Sequence, residues 1–188
     1  MVFGQVRLDS AHFSLFFNRA PKLNAFDQAS IVFYDHAVEL MLFTQAGPVD
    51  STKLVLDIPC QESDDLLGCL AADVCRAPFP PLSALERLDI YEDSRSPTKW
   101  QDDDVQNTHW IEVFRPFTTV MNSYLSDEVA PHVSLALQEL DGRSVTEVLP
   151  ALQHLFLRGS GSLQEEAFAK FVSARQVSGR PVTLHRWE

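Results

Sequence analysis

A short leucine motif, LxxLxL, occurs twice in this chain, at residues 85–90 and 152–157, and each copy follows a proline. A weaker copy at residues 120–125 lies between them, again behind a proline. In a repeat unit of this kind a short strand points its second and third apolar residues inward. The next strand then stacks beside it and buries what one unit leaves exposed. The motif therefore predicts a row of neighbouring parallel strands.

The spacing of these units predicts helices between the strands. The units begin at Leu85, Val120 and Leu152, and a further strand-like run begins at Val182. Ordinary leucine-rich repeats take roughly 20 to 29 residues, and each step here is longer, so each return has room for a helix. Apolar residues at helical spacing occupy residues 126–142 and 162–179, and a shorter helix is predicted at residues 108–114.

The first third of the chain has a different pattern. Residues 31–34, 38–42 and 53–58 are predicted strands, and the Gly-Pro turn signal between the last two favours an antiparallel hairpin. Residues 63–76 are predicted to contain a helix. The fold class expected for all 188 residues is a single α/β domain, a curved leucine-rich-repeat-like solenoid of about five units with parallel strands and helical returns.

Composition narrows the classes of partner that the protein is expected to bind. With 15 Lys and Arg against 26 Asp and Glu, the net charge is -11, which argues against nucleic acid because that affinity comes largely from basic residues. There is no run of about 18 apolar residues to span a bilayer, so no membrane association is expected. Three cysteines give no disulfide framework, and the first twenty residues do not resemble a signal peptide. An intracellular location, cytoplasmic or nuclear, is predicted.

The sequence contains no signature of catalysis or cofactor binding. GxSxG, P-loop and GxGxxG motifs are absent, and the six histidines lack the spacing of metal ligands. We therefore expect no catalytic residue, no metal and no cofactor. A small intracellular hydrolase with an unrecognised triad is the alternative, and a deep pocket holding a histidine paired to a carboxylate would favour it. A fragment without independent function is a third possibility.

Strand alternation identifies candidate binding residues. If Leu88, Leu125 and Leu155 face inward, their neighbours along each strand face outward. Asp89, Tyr124 and Phe156 would then form one column across consecutive strands. Aromatic and arginine side chains on an exposed sheet are typical of binding hot spots. The predicted partner-binding residues are Arg87, Asp89, Tyr91, Asn122, Tyr124, His154, Phe156 and Arg158.

Long segments of the chain resemble a known group of proteins. LSALERLDIYEDSRSPTKWQDDDVQNTHWIEVFRPFTTV, YLSDEVAPHVSLALQEL and VTEVLPALQHLFLRG are similar to the carboxy-terminal half of fungal F-box-type proteins with divergent leucine-rich repeats. SLFFNRAPKLNAFDQASIVFYDHAVELML resembles the middle of these proteins, and FVSARQVSGRPVTLHRWE their ending. The resemblance covers nearly the whole chain.

The resemblance implies a role in substrate selection for a cullin ubiquitin ligase. In such proteins an F-box docks on a Skp-type adaptor, and the repeats hold the substrate. No LPxE-like start with a helical module precedes the repeats in this sequence, so the chain is expected to be truncated at the N-terminus. A Skp-type adaptor is an expected partner only if an F-box lies upstream. The predicted function is a non-enzymatic protein-recognition module that binds a protein of unknown identity.

Overall fold

The computed structural model describes residues 26–44, 54–60, 66–71, 82, 84–95, 100, 104–159 and 162–187. Within these residues the chain forms a seven-stranded mixed sheet and five helices. The Gly-Pro turn signal and the start and end of the helix predicted at residues 63–76 lie outside the described residues.

The strands alternate with helices after an initial meander. The strands are β1 (Gln28–Tyr34), β2 (Ala37–Phe43), β3 (Leu54–Pro59), β4 (Arg87–Glu92), β5 (Asn122–Leu125), β6 (His154–Arg158) and β7 (Thr183–Trp187). The helices are α1 (Leu66–Leu70), α2 (Asp104–Phe114), α3 (Ala130–Gln138), α4 (Ser144–Glu147) and α5 (Ser162–Val177).

The sheet has the order β3-β2-β1-β4-β5-β6-β7. Strand β2 runs antiparallel to both β1 and β3, which confirms the predicted antiparallel hairpin. From β1 onward every neighbouring pair is parallel, and β4 to β7 follow one another in chain order. The predicted row of parallel strands is therefore confirmed. Parallel neighbours require a crossover between them, and α2, α3 with α4, and α5 are those crossovers.

One hydrogen-bond pattern repeats where the parallel strands begin. The carbonyl of Glu86 accepts from the amides of Met121 and Asn122, and the carbonyl of Met121 accepts in the same way from Gln153 and His154. In the register of the sheet, Arg87 pairs with Asn122, Asn122 with His154, and His154 with Thr183. The step from Arg87 to Asn122 equals the predicted spacing from Leu85 to Val120, and the step from Asn122 to His154 equals the spacing from Val120 to Leu152. The last step is shorter by a single position than the predicted spacing from Leu152 to Val182.

The core lies between the sheet and the helices. On the helix-covered face, Leu88, Leu125 and Leu155 are buried together with Val133 of α3 and Phe168 of α5. In the strands every second side chain is buried, and in the helices the buried side chains are three or four residues apart. Each element therefore buries one side. The predicted inward positions of β4, β5 and β6 are confirmed.

The helices also bond to one another. The side-chain amide of Gln138, at the end of α3, donates to the carbonyl of Ala167 in α5 at 2.8 Å. Helices α2 and α3 pack together, as do α3 and α5, so the helices form one layer over the sheet. None of the helices among the described residues is long and apolar enough to cross a membrane.

Candidate protein-interaction surface

The outer face of the sheet, opposite the helices, carries all eight predicted binding residues. In β4, β5 and β6 they occupy the positions that alternate with the buried ones. Seven of the eight are half-buried and Arg158 is exposed. Asp89 pairs with Tyr124 and Tyr124 with Phe156, so the predicted column across three strands is present in the structure.

Three rings stack along this column. The ring centroids of Tyr124 and Phe156 are 4.2 Å apart, with an angle of 4° between the ring planes. His185 of β7 stacks on the other side of Phe156 at 4.7 Å and 21°. Parallel strands lie about 4.8 Å apart, so residues in register on neighbouring strands meet at stacking distance. We call the stack of Tyr124, Phe156 and His185 the aromatic ladder.

His185 is a member that the sequence reasoning missed. The column was predicted over three strands, although the fourth strand had also been predicted. Phe156 pairs with His185 in the register of β6 and β7. The spacing of the strands could have extended the column to β7. Aligning Val182 with Leu152, however, places Arg186 beside Phe156 instead of His185. Arg186 instead faces the helices, where it bonds Glu165 of α5 at 2.6 Å.

One end of the aromatic ladder is closed by an ion pair. The guanidinium carbon of Arg87 lies 4.0 Å from the centroid of the Tyr124 ring. The same guanidinium donates to both carboxylate oxygens of Asp89, at 2.8 and 3.0 Å. This hydrogen-bonded partner raises the pKa of Arg87 above its ordinary value. The charge of Arg87 is thus neutralised within the face, and its flat guanidinium extends the stack.

A second histidine, His154, lies beside the ladder and bonds its member His185. Nδ1 of His154 and Nε2 of His185 are 3.0 Å apart and share a hydrogen bond in which one ring donates and the other accepts. His154 is therefore bonded to a histidine, not to the carboxylate that the hydrolase alternative requires. No group of three potential metal ligands is found among the described residues.

The carboxyl end of β6 and β7 holds a second aromatic and a second cation. Trp187 meets the Tyr124 ring edge-on at 5.8 Å and 84°. The exposed guanidinium of Arg158 lies 5.4 Å from the centroid of the Trp187 ring. Arg158 forms no ion pair with any described residue, and the indole Nε1 of Trp187 is buried with no hydrogen-bond partner within the described chain. Neither donor has an acceptor among the described residues, and only the guanidinium of Arg158 is open to solvent.

The remaining two predicted residues lie on the same face without joining the ladder. Tyr91 is half-buried and pairs in register with Val32 of β1. Asn122 lies in register between Arg87 and His154. Both extend the outer face toward neighbouring strands.

No family model matches this chain, and no curated protein or solved structure matches it either. The likeness to F-box-type repeat proteins therefore stays a prediction.

Proposed function

We propose that this protein is a non-enzymatic recognition module that binds a protein segment on the outer face of β4 to β7. The observation that carries the proposal is the aromatic ladder. Tyr124 and Phe156 are both half-buried, so their rings remain partly open to solvent while fixed by mutual stacking. Rigid aromatic side chains bury large area on binding at low cost in side-chain entropy.

The charges on this face favour a partner that carries an acidic side chain next to an apolar one. Arg87 is already neutralised by Asp89, whereas Arg158 has no acidic partner among the described residues. A carboxylate placed beside Arg158 would accept from its exposed guanidinium. The neighbouring apolar side chain of the partner would then lie on the rings of Tyr124 and Phe156.

The proposal also includes the architecture of the domain. The regular parallel pairing of β4 to β7, with a helical return after each strand, supports a leucine-rich-repeat-like curved solenoid. By its resemblance, the module corresponds to the substrate-binding repeat region of an intracellular ubiquitin ligase subunit. In that setting the aromatic ladder would hold the substrate, and the F-box would lie in another segment.

Selection from a displayed peptide library tests the proposal. Peptides enriched on the wild-type protein are expected to place Asp or Glu beside an apolar residue. Tyr124→Ala combined with Phe156→Ala should weaken the enriched peptides by at least about 2 kcal/mol, or about thirtyfold in Kd, because the change removes the apolar platform. Arg158→Gln should weaken acidic peptides selectively and reduce the salt dependence of their binding.

The matched control removes exposed apolar side chains from the helices. Leu135→Ala combined with Val177→Ala deletes the two large apolar side chains that are exposed among the described residues, and peptide binding should be unchanged. The ladder variant should keep its fold, because Tyr124 and Phe156 are only half-buried and lie outside the core on the helix-covered face. Undiminished peptide binding by a folded ladder variant would refute the proposal.

A further inference from the structure

A cavity of about 850 Å³ opens at the amino-terminal ends of the parallel strands. Glu86, Met121 and Gln153, the residues directly before β4, β5 and β6, contribute to its lining. Much of the remaining wall is apolar and comes from the loops that lead into β6 and β7, including Leu152 and Pro181. The cavity is large enough for a small organic molecule or the end of a peptide chain.

A buried cation forms part of this wall. Arg175 of α5 has no accessible surface, and its guanidinium donates to the carbonyls of Arg180, Val145 and Leu152 at 3.1, 3.2 and 2.9 Å. These bonds tie α5 to α4 and to the loops that lead into β6 and β7. They use three of the five N–H groups of the guanidinium and provide no negative charge.

The charge of Arg175 is therefore not balanced by an acid among the described residues. Burial lowers the pKa of Arg175 below its ordinary value, and the nearby positive charge of Arg180 lowers it further. A buried ion without a counter-charge is costly, and its field is poorly screened by solvent. An anion in the adjoining cavity would relieve that cost.

A second guanidinium stands at the same cavity. Arg180 is exposed, and its Nη1 donates to the carbonyl of Pro150 at 3.1 Å, which holds the side chain against the cavity wall. Its other N–H groups have no partner within the described chain. Glu86 also lines the cavity, but it forms no hydrogen bond or ion pair with Arg175 or Arg180. The two arginines thus outweigh the single carboxylate of the lining.

We propose that this cavity binds a carboxylate carried on an apolar stem. The carboxylate accepts from the free N–H groups of Arg180, the buried charge of Arg175 attracts it from behind, and the stem lies on Met121 and Pro181. Charge-assisted hydrogen bonds of this type are the strong ones. A free organic acid and the carboxyl terminus of a peptide share this chemistry. The site adjoins the outer face through His154, which lines the cavity and bonds His185 of the aromatic ladder. Its two arginines lie outside the ladder, so the inference does not rest on the proposed function.

Isothermal titration calorimetry with paired probes tests the inference. The probes are octanoate and octanamide, and the peptide acetyl-Gly-Val-Leu as free acid and as amide. Each acid that fits should bind at least about tenfold more tightly than its neutral amide, because only the acid pairs with the guanidinium groups. Binding of octanoate alone would identify a small organic acid as the ligand, and binding of the free-acid peptide alone would identify a peptide terminus.

Variants locate the site. Arg180→Gln should weaken acid binding about tenfold while its amide keeps a donor for the Pro150 carbonyl, and Arg180→Lys should retain part of the binding. Arg95→Gln is the matched control, since it removes one exposed cation beyond the opposite end of β4 and should have no effect. The variant Tyr124→Ala with Phe156→Ala should bind the acids normally, so the two proposals can fail separately. Equal binding of acids and amides, an unaffected Arg180→Gln, or no binding at millimolar concentration would overturn the inference.

Discussion

Truncating Leu155 to alanine should lower the free energy of unfolding by about 3 kcal/mol. The side chain is 2% exposed and lies on the helix-covered face between Ser123 of β5 and Leu184 of β7. The change removes three carbon atoms, each worth about 0.8 kcal/mol in transfer free energy, or about 2.4 kcal/mol together. A cavity term adds to this. Because Leu184 is half-buried on the last strand, the neighbours can partly close the cavity, which keeps the total in the lower half of the usual range of about 2 to 5 kcal/mol.

Urea unfolding followed by far-ultraviolet circular dichroism measures this loss. Gln153→Ala is the matched control, because the Gln153 side chain is exposed and its backbone bonds survive the change. The control should stay within about 0.5 kcal/mol of the wild type. For a chain of this size a loss of about 3 kcal/mol corresponds to a fall in Tm of about 6 to 12 °C. Equal unfolding midpoints for the two variants would refute the register of β6 on which the inward and outward faces depend.

Two further predictions concern backbone strain and alkaline stability. Gly159→Ala and Gly142→Ala should each cost about 1 to 2 kcal/mol in urea unfolding, because Gly159 has φ +89° and Gly142 has φ +49°. A Cβ at Gly159 would lie 2.9 Å from Oδ2 of Asp127, but Asp127 is exposed and its carboxylate can move aside, so this contact adds little. A cost near zero for either variant would contradict this reasoning. Burial, with a hydrogen bond of 3.0 Å to Glu39, raises the pKa of Tyr34 to about 12. The stabilisation of the fold by the protonated Tyr34 hydroxyl should therefore be complete below pH 10 and be lost as the pH rises from about 10 to about 12. Tyr34→Phe should reduce that alkaline loss and remove the latest step of the tyrosine absorbance titration, and an unchanged titration would disprove the assignment.

Much of the strand and helix pattern could be predicted because it is local. Apolar residues alternate in residues 85–90 and 152–157, and period-two alternation in a strand has one physical solution, with Leu88, Ile90, Leu155 and Leu157 facing inward. The returns are long enough for helices, which parallel neighbours require, and the repeated motif favours that arrangement. The column of Asp89, Tyr124 and Phe156 follows from these two facts alone.

The position of the amino-terminal strands was not predictable in the same way. β1 pairs in parallel with β4, so Gln28 lies beside Arg87, far away in the chain. No local pattern specifies that contact, because it depends on which edge of the row β4 to β7 is free to pair with another strand. β1 is buried on both faces up to Phe33, whereas β2 and β3 alternate.

The sequence by itself determined which residues of β4, β5 and β6 face the helices and which face outward, since side-chain direction in a strand is set by the backbone. Tertiary structure alone decided the register to the single residue, which brought His185 to Phe156 and sent Arg186 to the helices. Tertiary structure also decided the environment of the Arg175 side chain. From its place near the end of α5, the sequence alone would make that arginine a favourable partner for the helix dipole. The fold instead buries it against three carbonyls, because its burial depends on loops that approach α5 from elsewhere in the chain.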